Sequence, residues 1–405
     1  MVLMHHGKTS ILLAQKMLKE IVIGGSINTE FIANFIKISS YLYEKKMYES
    51  PIVLDITFID TIDDEETKIR YKCSILNNII PEEMPKLLKE ELYINDEYIF
   101  IKDETDIKFN IENKIKKYYY LNNENDFKSI VQALDTQSKL YKINNNNSIF
   151  TSWYNNYNPQ LVKHILEWFK QKYIILDNFV DNNTTSYMIN KEKSTTSDIN
   201  NISNSNNIFT NRVMNEIKNI IDYGNQEIIL KSNNEDNKNL QLNSIYRIKD
   251  KENKENAIII VPSKVSESSG TLKMYKFYDV LIHTLTIGGT LFVDELDSSF
   301  HPEIVKGIIA CFKNSELNKK NAQIIFNTHN PIYLNSNIFR RDEIYFIEKN
   351  RENYKSDLYS LVDFNKIRSD KDYMKAYLNG DFGAIPSCNL QEIIFKVLRE
   401  RDLDS

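Results

Sequence analysis

Four short runs in the last half of the chain constrain its fold most: NAIIIVP (256–262), GTLFVDEL (289–296), QIIFNTH (323–329) and DEIYFIEK (342–349). Each is nearly continuous in apolar residues, and helical stretches separate several of them. A strand that is apolar on both faces is buried on both faces, which is the mark of a parallel sheet covered by helices. The predicted class is therefore α/β.

The first hundred residues read differently. A helix is predicted from about Lys8 to Val22 and another from about Thr29 to Lys46. Three strand candidates follow: Ile52 to Asp60, Lys68 to Leu76 and Lys89 to Phe100. Apolar and polar residues alternate in them, as in half-buried strands, and together they predict an antiparallel meander. From about Asp103 to Ile220 the reading is helical, with apolar residues at helical spacing over Asn158 to Leu176. The tracts KINNNNS and DINNISNSNN are low-complexity loop or disorder. The division is thus 1–102, an N-terminal part of a core; 103–220, a helical, Asn-rich insertion; and 221–405, the C-terminal part of the same core.

Composition narrows the function classes. The 405 residues carry a net charge of -5, which does not indicate a strongly basic nucleic-acid binder but leaves room for a local basic groove. Cys73, Cys311 and Cys388 fit no metal spacing and read as reduced thiols, so a cytoplasmic location is expected. No apolar run reaches membrane-spanning length.

Three stretches carry chemistry. In GGTLFVDELDSSFHP (288–302) a buried strand ends in Asp294-Glu295, the form of a Walker B motif. Asp294 is placed for a magnesium ion, and Glu295 to polarise an attacking water. The plainer reading is a strand that ends in surface acids. In SESSGTLKMYKFYDVLIHTL (266–285), Ser268, Ser269 and Gly270 open a long helix. Its free N–H groups form an anion site, or Ser268 is simply an N-cap. In QIIFNTHNP (323–331), a strand ends at Thr328-His329, so His329 is either a phosphate-sensing switch or a structural histidine. At the start of the chain, Gly7-Lys8-Thr9 is the tail of the P-loop pattern G-x-x-x-x-G-K-[ST]. Val2 stands where that pattern has its first glycine.

The order of these elements, with DELDSSFHP and the endings RRDEIYFIEKN, LYSLVDF and IRSDKDYMKAYLNGDFGAIP, resembles a bacterial ABC-type ATPase of the AAA group. That group is related to SMC proteins and to the ATPase half of overcoming-lysogenisation-defect (OLD) nucleases. The likeness is to stand-alone members in phage defence and abortive infection. The resemblance covers about Gly7 to Pro386 and implies an ABC-type P-loop NTPase fold: a mixed sheet, an antiparallel β meander and a helical insertion. It also implies a composite ATP and Mg2+ site shared by a homodimer or higher oligomer. Gly7 and Lys8 would hold phosphates; Thr9 and Asp294 would hold the metal; Glu295 and His329 would serve hydrolysis. Ser268, Ser269 and Gly270 would reach the γ-phosphate from the other subunit, with Asp297 on the dimer seam. On this resemblance the first strand and its preceding hairpin are expected to be missing, which implies a truncated N-terminus and a damaged P-loop.

The implied function is ATP hydrolysis that gates a separate effector in phage defence, since nothing resembles the OLD nuclease domain. The alternatives are a truncated, non-hydrolysing interaction protein, or a DNA-structure sensor of the SMC-like repair type. The last lacks the long heptad arms of those proteins.

Overall fold

The computed structural model describes residues 2–4, 8–25, 27, 50–76, 86–104, 106–110, 129, 132, 136, 148–150, 160–176, 216, 226–232, 240–249, 255–298, 300–350, 352, 356–364, 371–385 and 390–403. The expected helix over Thr29–Lys46, both Asn-rich tracts apart from Ser148, and Cys388 lie outside these residues.

In chain order the first elements are β1 (Val2–Met4), α1 (Lys8–Gly24), β2 (Ile52–Ile62), β3 (Glu65–Leu76), β4 (Lys86–Ile94), β5 (Glu97–Lys102) and β6 (Ile107–Phe109). Then come α2 (Gln160–Gln171), β7 (Tyr173–Leu176), β8 (Gln226–Ser232), β9 (Leu240–Lys249) and β10 (Glu255–Pro262). The chain continues with α3 (Ser269–Ile287), β11 (Thr290–Val293), α4 (Pro302–Lys313), β12 (Gln323–Thr328), β13 (Ile344–Lys349), β14 (Ser356–Ser360), α5 (Tyr373–Leu378) and α6 (Leu390–Leu403). Two units divide them. The first holds Met1–Ile175, Phe292–Glu295 and Ile325–Ser405; the second holds Leu176–Leu291 and Leu296–Ile324.

The first unit is built on a six-stranded sheet in the order β14-β13-β1-β12-β11-β7. β1 lies in its middle, parallel to both neighbours: Val2 pairs with Phe326 and Ile344, and Met4 with Thr328 and Phe346. This corrects the expectation that no strand precedes Gly7-Lys8-Thr9. The P-loop spacing sets Val2 at the position of the pattern's first glycine. Two parallel partners instead offer its backbone a ladder on each side, and three residues are enough to fill the slot. β13 and β14 are antiparallel, so the sheet is mixed.

The meander β2-β3-β4-β5-β6 is antiparallel throughout, as expected. The run Lys89 to Phe100 is not one strand, however. It folds back at Asn95-Asp96, whose φ angles are 49° and 68°. Asp63-Asp64, at 51° and 63°, turns β2 into β3 in the same way. Both are two-residue loops with two positive φ angles, the type I′ geometry that matches strand twist and that Asn and Asp tolerate.

Helices α1 and α2 cover the meander. Leu12, Met17, Leu18 and Ile21 of α1 share one buried cluster with Ile69, Tyr71, Ile75, Leu92 and Phe100 of the meander and Ile165 and Phe169 of α2. Phe58 stacks on Trp168 at 3.7 Å between ring centroids. Asp60 of β2 accepts from Lys172 at 2.6 Å and contacts His164 at 2.9 Å. Burial works to raise the Asp60 carboxyl, but the hydrogen bonds from His164 and Lys172 outweigh it and hold it at about 2. The helix expected to reach Leu176 ends earlier, and Tyr173–Leu176 is a strand. Its Tyr-Ile-Ile-Leu run is aromatic and β-branched, which suits a sheet edge better than a helix end.

In the second unit, β10-β9-β8 form a small antiparallel sheet. Here NAIIIVP departs from expectation. It is an edge strand in which Ile258, Ile259 and Ile260 are all exposed, so its apolar run does not mark a buried parallel strand. α3 follows, and Gly288 ends it in the left-handed conformation at φ 72°. A Cβ there would lie 2.5 Å from the Lys320 carbonyl oxygen, a distance only glycine allows. No helix among the described residues is long and apolar enough to cross a membrane.

Candidate functional site

The carboxyl ends of β1, β12 and β11 bring the site of the first unit together. β11 is a buried apolar run, and Asp294-Glu295 follow it directly. On β12, Ile324, Phe326, Asn327 and Thr328 are buried, and His329 follows the strand. β1 ends at Met4, beside Thr328, and α1 begins four residues later at Lys8. Ends of strands in an open α/β sheet are where such folds bind ligands.

A buried asparagine organises the acids. Asn327 is 0% exposed. Its Nδ2 donates to Asp294 Oδ1 at 2.5 Å, and its Oδ1 accepts from the backbone N–H of Glu295 at 2.5 Å. One carboxamide therefore fixes the side chain of one acid and the backbone of the next. Among the described residues Asp294 Oδ2 makes no hydrogen bond, so one oxygen of the pair is available to a cation or its water shell. Hard oxygen donors of this kind fit magnesium. Glu295 adopts φ 49°, a left-handed conformation that costs a residue with a Cβ about 1–2 kcal/mol. Its carboxylate stands half exposed, with Oε1 3.8 Å from His329 Nε2. That exposure lets water reach the carboxylate, and the exposed ion pair is weak. Thr328 Oγ1 accepts from Asn330 N–H at 3.0 Å, tying down the turn that carries His329.

The structure thus brings Asp294, Glu295 and His329 together. Lys8 and Thr9 open α1; their side chains, and Gly7, lie outside what is described. The connection from β1 to α1 is His5-His6-Gly7, three residues, because Val2 is committed to the strand. The remaining candidates belong to the second unit. Ser268 is the N-cap of α3: its Oγ accepts from Thr271 N–H at 3.1 Å and lies 2.8 Å from Thr271 Oγ1. Gly270 lies in the first turn of that helix, with Ser269 before it. Asp297 is half-buried in the turn after Leu296.

Asn327 was not among the residues singled out from the sequence. The signal for it was present: a polar amide directly after the apolar run Ile324-Ile325-Phe326 and just before Thr328-His329. A buried amide must find partners, so an asparagine at such a position implies polar neighbours on an adjoining strand.

The family described as "AAA domain, putative AbiEii toxin, Type IV TA system" matches residues 47–335. That span contains Asp294, Glu295, Asn327 and His329 and begins downstream of Gly7-Lys8-Thr9. Comparison with curated proteins finds no match.

Proposed function

The chain belongs to this AAA-domain family, and from that premise we propose that it binds ATP with Mg2+ and hydrolyses it, in a toxin–antitoxin or abortive-infection setting. The observation that carries the reading is the Asp294–Asn327–Glu295 arrangement at the strand ends, with His329 within 4 Å of Glu295.

In this reading Asp294 holds the cation through its available oxygen, with Thr9 as the second ligand. The metal, when bound, neutralises charge on the phosphates. Glu295 accepts a proton from the attacking water, and its exposed carboxylate is suited to that role. His329 donates a hydrogen bond toward the terminal phosphate. Gly7 and Lys8 meet the remaining phosphate oxygens. The finer likeness to ABC, SMC and OLD ATPases adds a second subunit, whose Ser268, Ser269 and Gly270 complete the site, with Asp297 on the seam. Gating of a separate effector then follows from nucleotide-dependent dimerisation.

A second reading rests on one feature. Three residues between β1 and α1 are too few for the six that the phosphate-loop pattern sets ahead of its lysine and whose backbone N–H groups cradle phosphate. That favours a protein that binds nucleotide weakly and acts by interaction alone. The deciding experiment is ATP turnover by the purified full chain with Mg2+, beside Glu295→Gln. Turnover that Glu295→Gln abolishes supports the ATPase; no nucleotide binding and no turnover support the interaction protein.

A further inference from the structure

We propose that Asn327 is a positioning residue for the cation site: it locks the Asp294 carboxylate and the left-handed Glu295 backbone in one arrangement. This rests on the ATPase reading and deepens it.

Asn327 spends its carboxamide on two successive residues of a different strand end. A buried, neutral donor satisfies Oδ1 of Asp294 without competing for a cation, as a lysine or arginine in its place would. With Oδ1 held, the carboxylate cannot rotate freely, and Oδ2 is kept in a single direction. The other half of the amide acts on the backbone. Glu295 would lower its conformational energy by leaving φ 49°, but doing so would break its N–H bond to Asn327 Oδ1. Such a bond offsets much of the left-handed cost. Both acids are therefore set by one fully buried side chain. Partners of this kind are typically worth about 10–100-fold in metal affinity.

The test uses Mn2+ as the probe, its binding to the full chain in the presence of ATP being read by electron paramagnetic resonance. Asn327→Leu, with the same branching and number of side-chain heavy atoms but no donor or acceptor, should weaken Mn2+ by about 10–100-fold. Asn327→Thr, close to asparagine in volume and at home in a strand, should weaken it in the same direction and serves if the leucine variant does not fold. Phe326→Leu is the control. It thins the buried packing one residue away and should lower the unfolding temperature without moving the Mn2+ titration. Unchanged Mn2+ affinity in both Asn327 variants overturns the proposal while leaving the ATPase reading intact. Equal weakening by Phe326→Leu also overturns it, because the effect is then general destabilisation. A wild-type chain that binds no Mn2+ with ATP overturns the ATPase reading itself, and the positioning role falls with it.

Discussion

Glu295 is the residue whose backbone and side chain pull in different directions, and a pair of substitutions separates the two. Glu295→Ala and Glu295→Gly both remove the carboxylate and its contact with His329, so those losses cancel in the comparison. Both keep the N–H that Asn327 accepts. They differ in the cost of φ 49°. Alanine retains the left-handed penalty of about 1–2 kcal/mol. Glycine escapes it but loses about 0.5–1 kcal/mol more chain entropy on folding. Taken at the middle of both ranges, the balance favours the glycine variant by about 0.75 kcal/mol. With a urea slope of about 3 kcal/mol/M, that is a difference of about 0.2–0.3 M in the unfolding midpoint. Equilibrium urea titration by circular dichroism reads it directly. An alanine variant as stable as the glycine variant, or more so, would mean that Glu295 is not held left-handed in solution. The lock attributed to Asn327 would then have nothing to hold.

Glu295→Gln should lower ATP turnover by about 10²–10⁴-fold while leaving binding of a fluorescent ATP analogue near wild type. Gly288→Ala should destabilise the protein by about 2–4 kcal/mol, from the left-handed cost and the approach to the Lys320 carbonyl; a calorimetric unfolding temperature equal to wild type would contradict it. Asp60→Asn should unfold more easily than wild type at neutral pH. The folded carboxyl, at about 2, lies below its ordinary 3.8, so the wild-type advantage is complete above about pH 4 and fades as the pH falls toward 2. A gap between the two proteins that stays constant over that range would remove the Asp60–His164–Lys172 cluster from the account.

The strands of the meander could be read from alternation alone, because one of their faces is buried and the other is not. Asn95-Asp96 was the part of that segment that alternation could not reveal; only the φ demands of the two turn residues break Lys89–Phe100 in two. Asp294, Glu295 and His329 were legible because each sits just beyond a buried strand, where apolar pattern gives way to charge. Asn327 was not, since its importance comes from a neighbour 33 residues away in sequence, which no local pattern reports. NAIIIVP misled for a related reason. Three successive isoleucines say that a strand has no polar face, but whether anything covers it depends on the sheet it joins, and here it lies at an edge. β1 was missed because a motif spacing outranked three strand-forming residues.

The place of β1 has a consequence for how the chain is made. Val2–Met4 precedes its partners at Phe326–Thr328 and Ile344–Phe346 by more than 300 residues of chain. At about 5–20 residues per second, β1 waits about 15–65 s before either neighbour exists. The meander, by contrast, closes from adjacent hairpins and can form as soon as it emerges. The central slot of the main sheet is therefore filled late, by a strand of three residues that stays unpaired until β12 has emerged. Chain termination anywhere before β12 leaves that strand with no ladder to join. Pulse-labelled nascent chains should accordingly resist protease over the meander long before they resist it at β1.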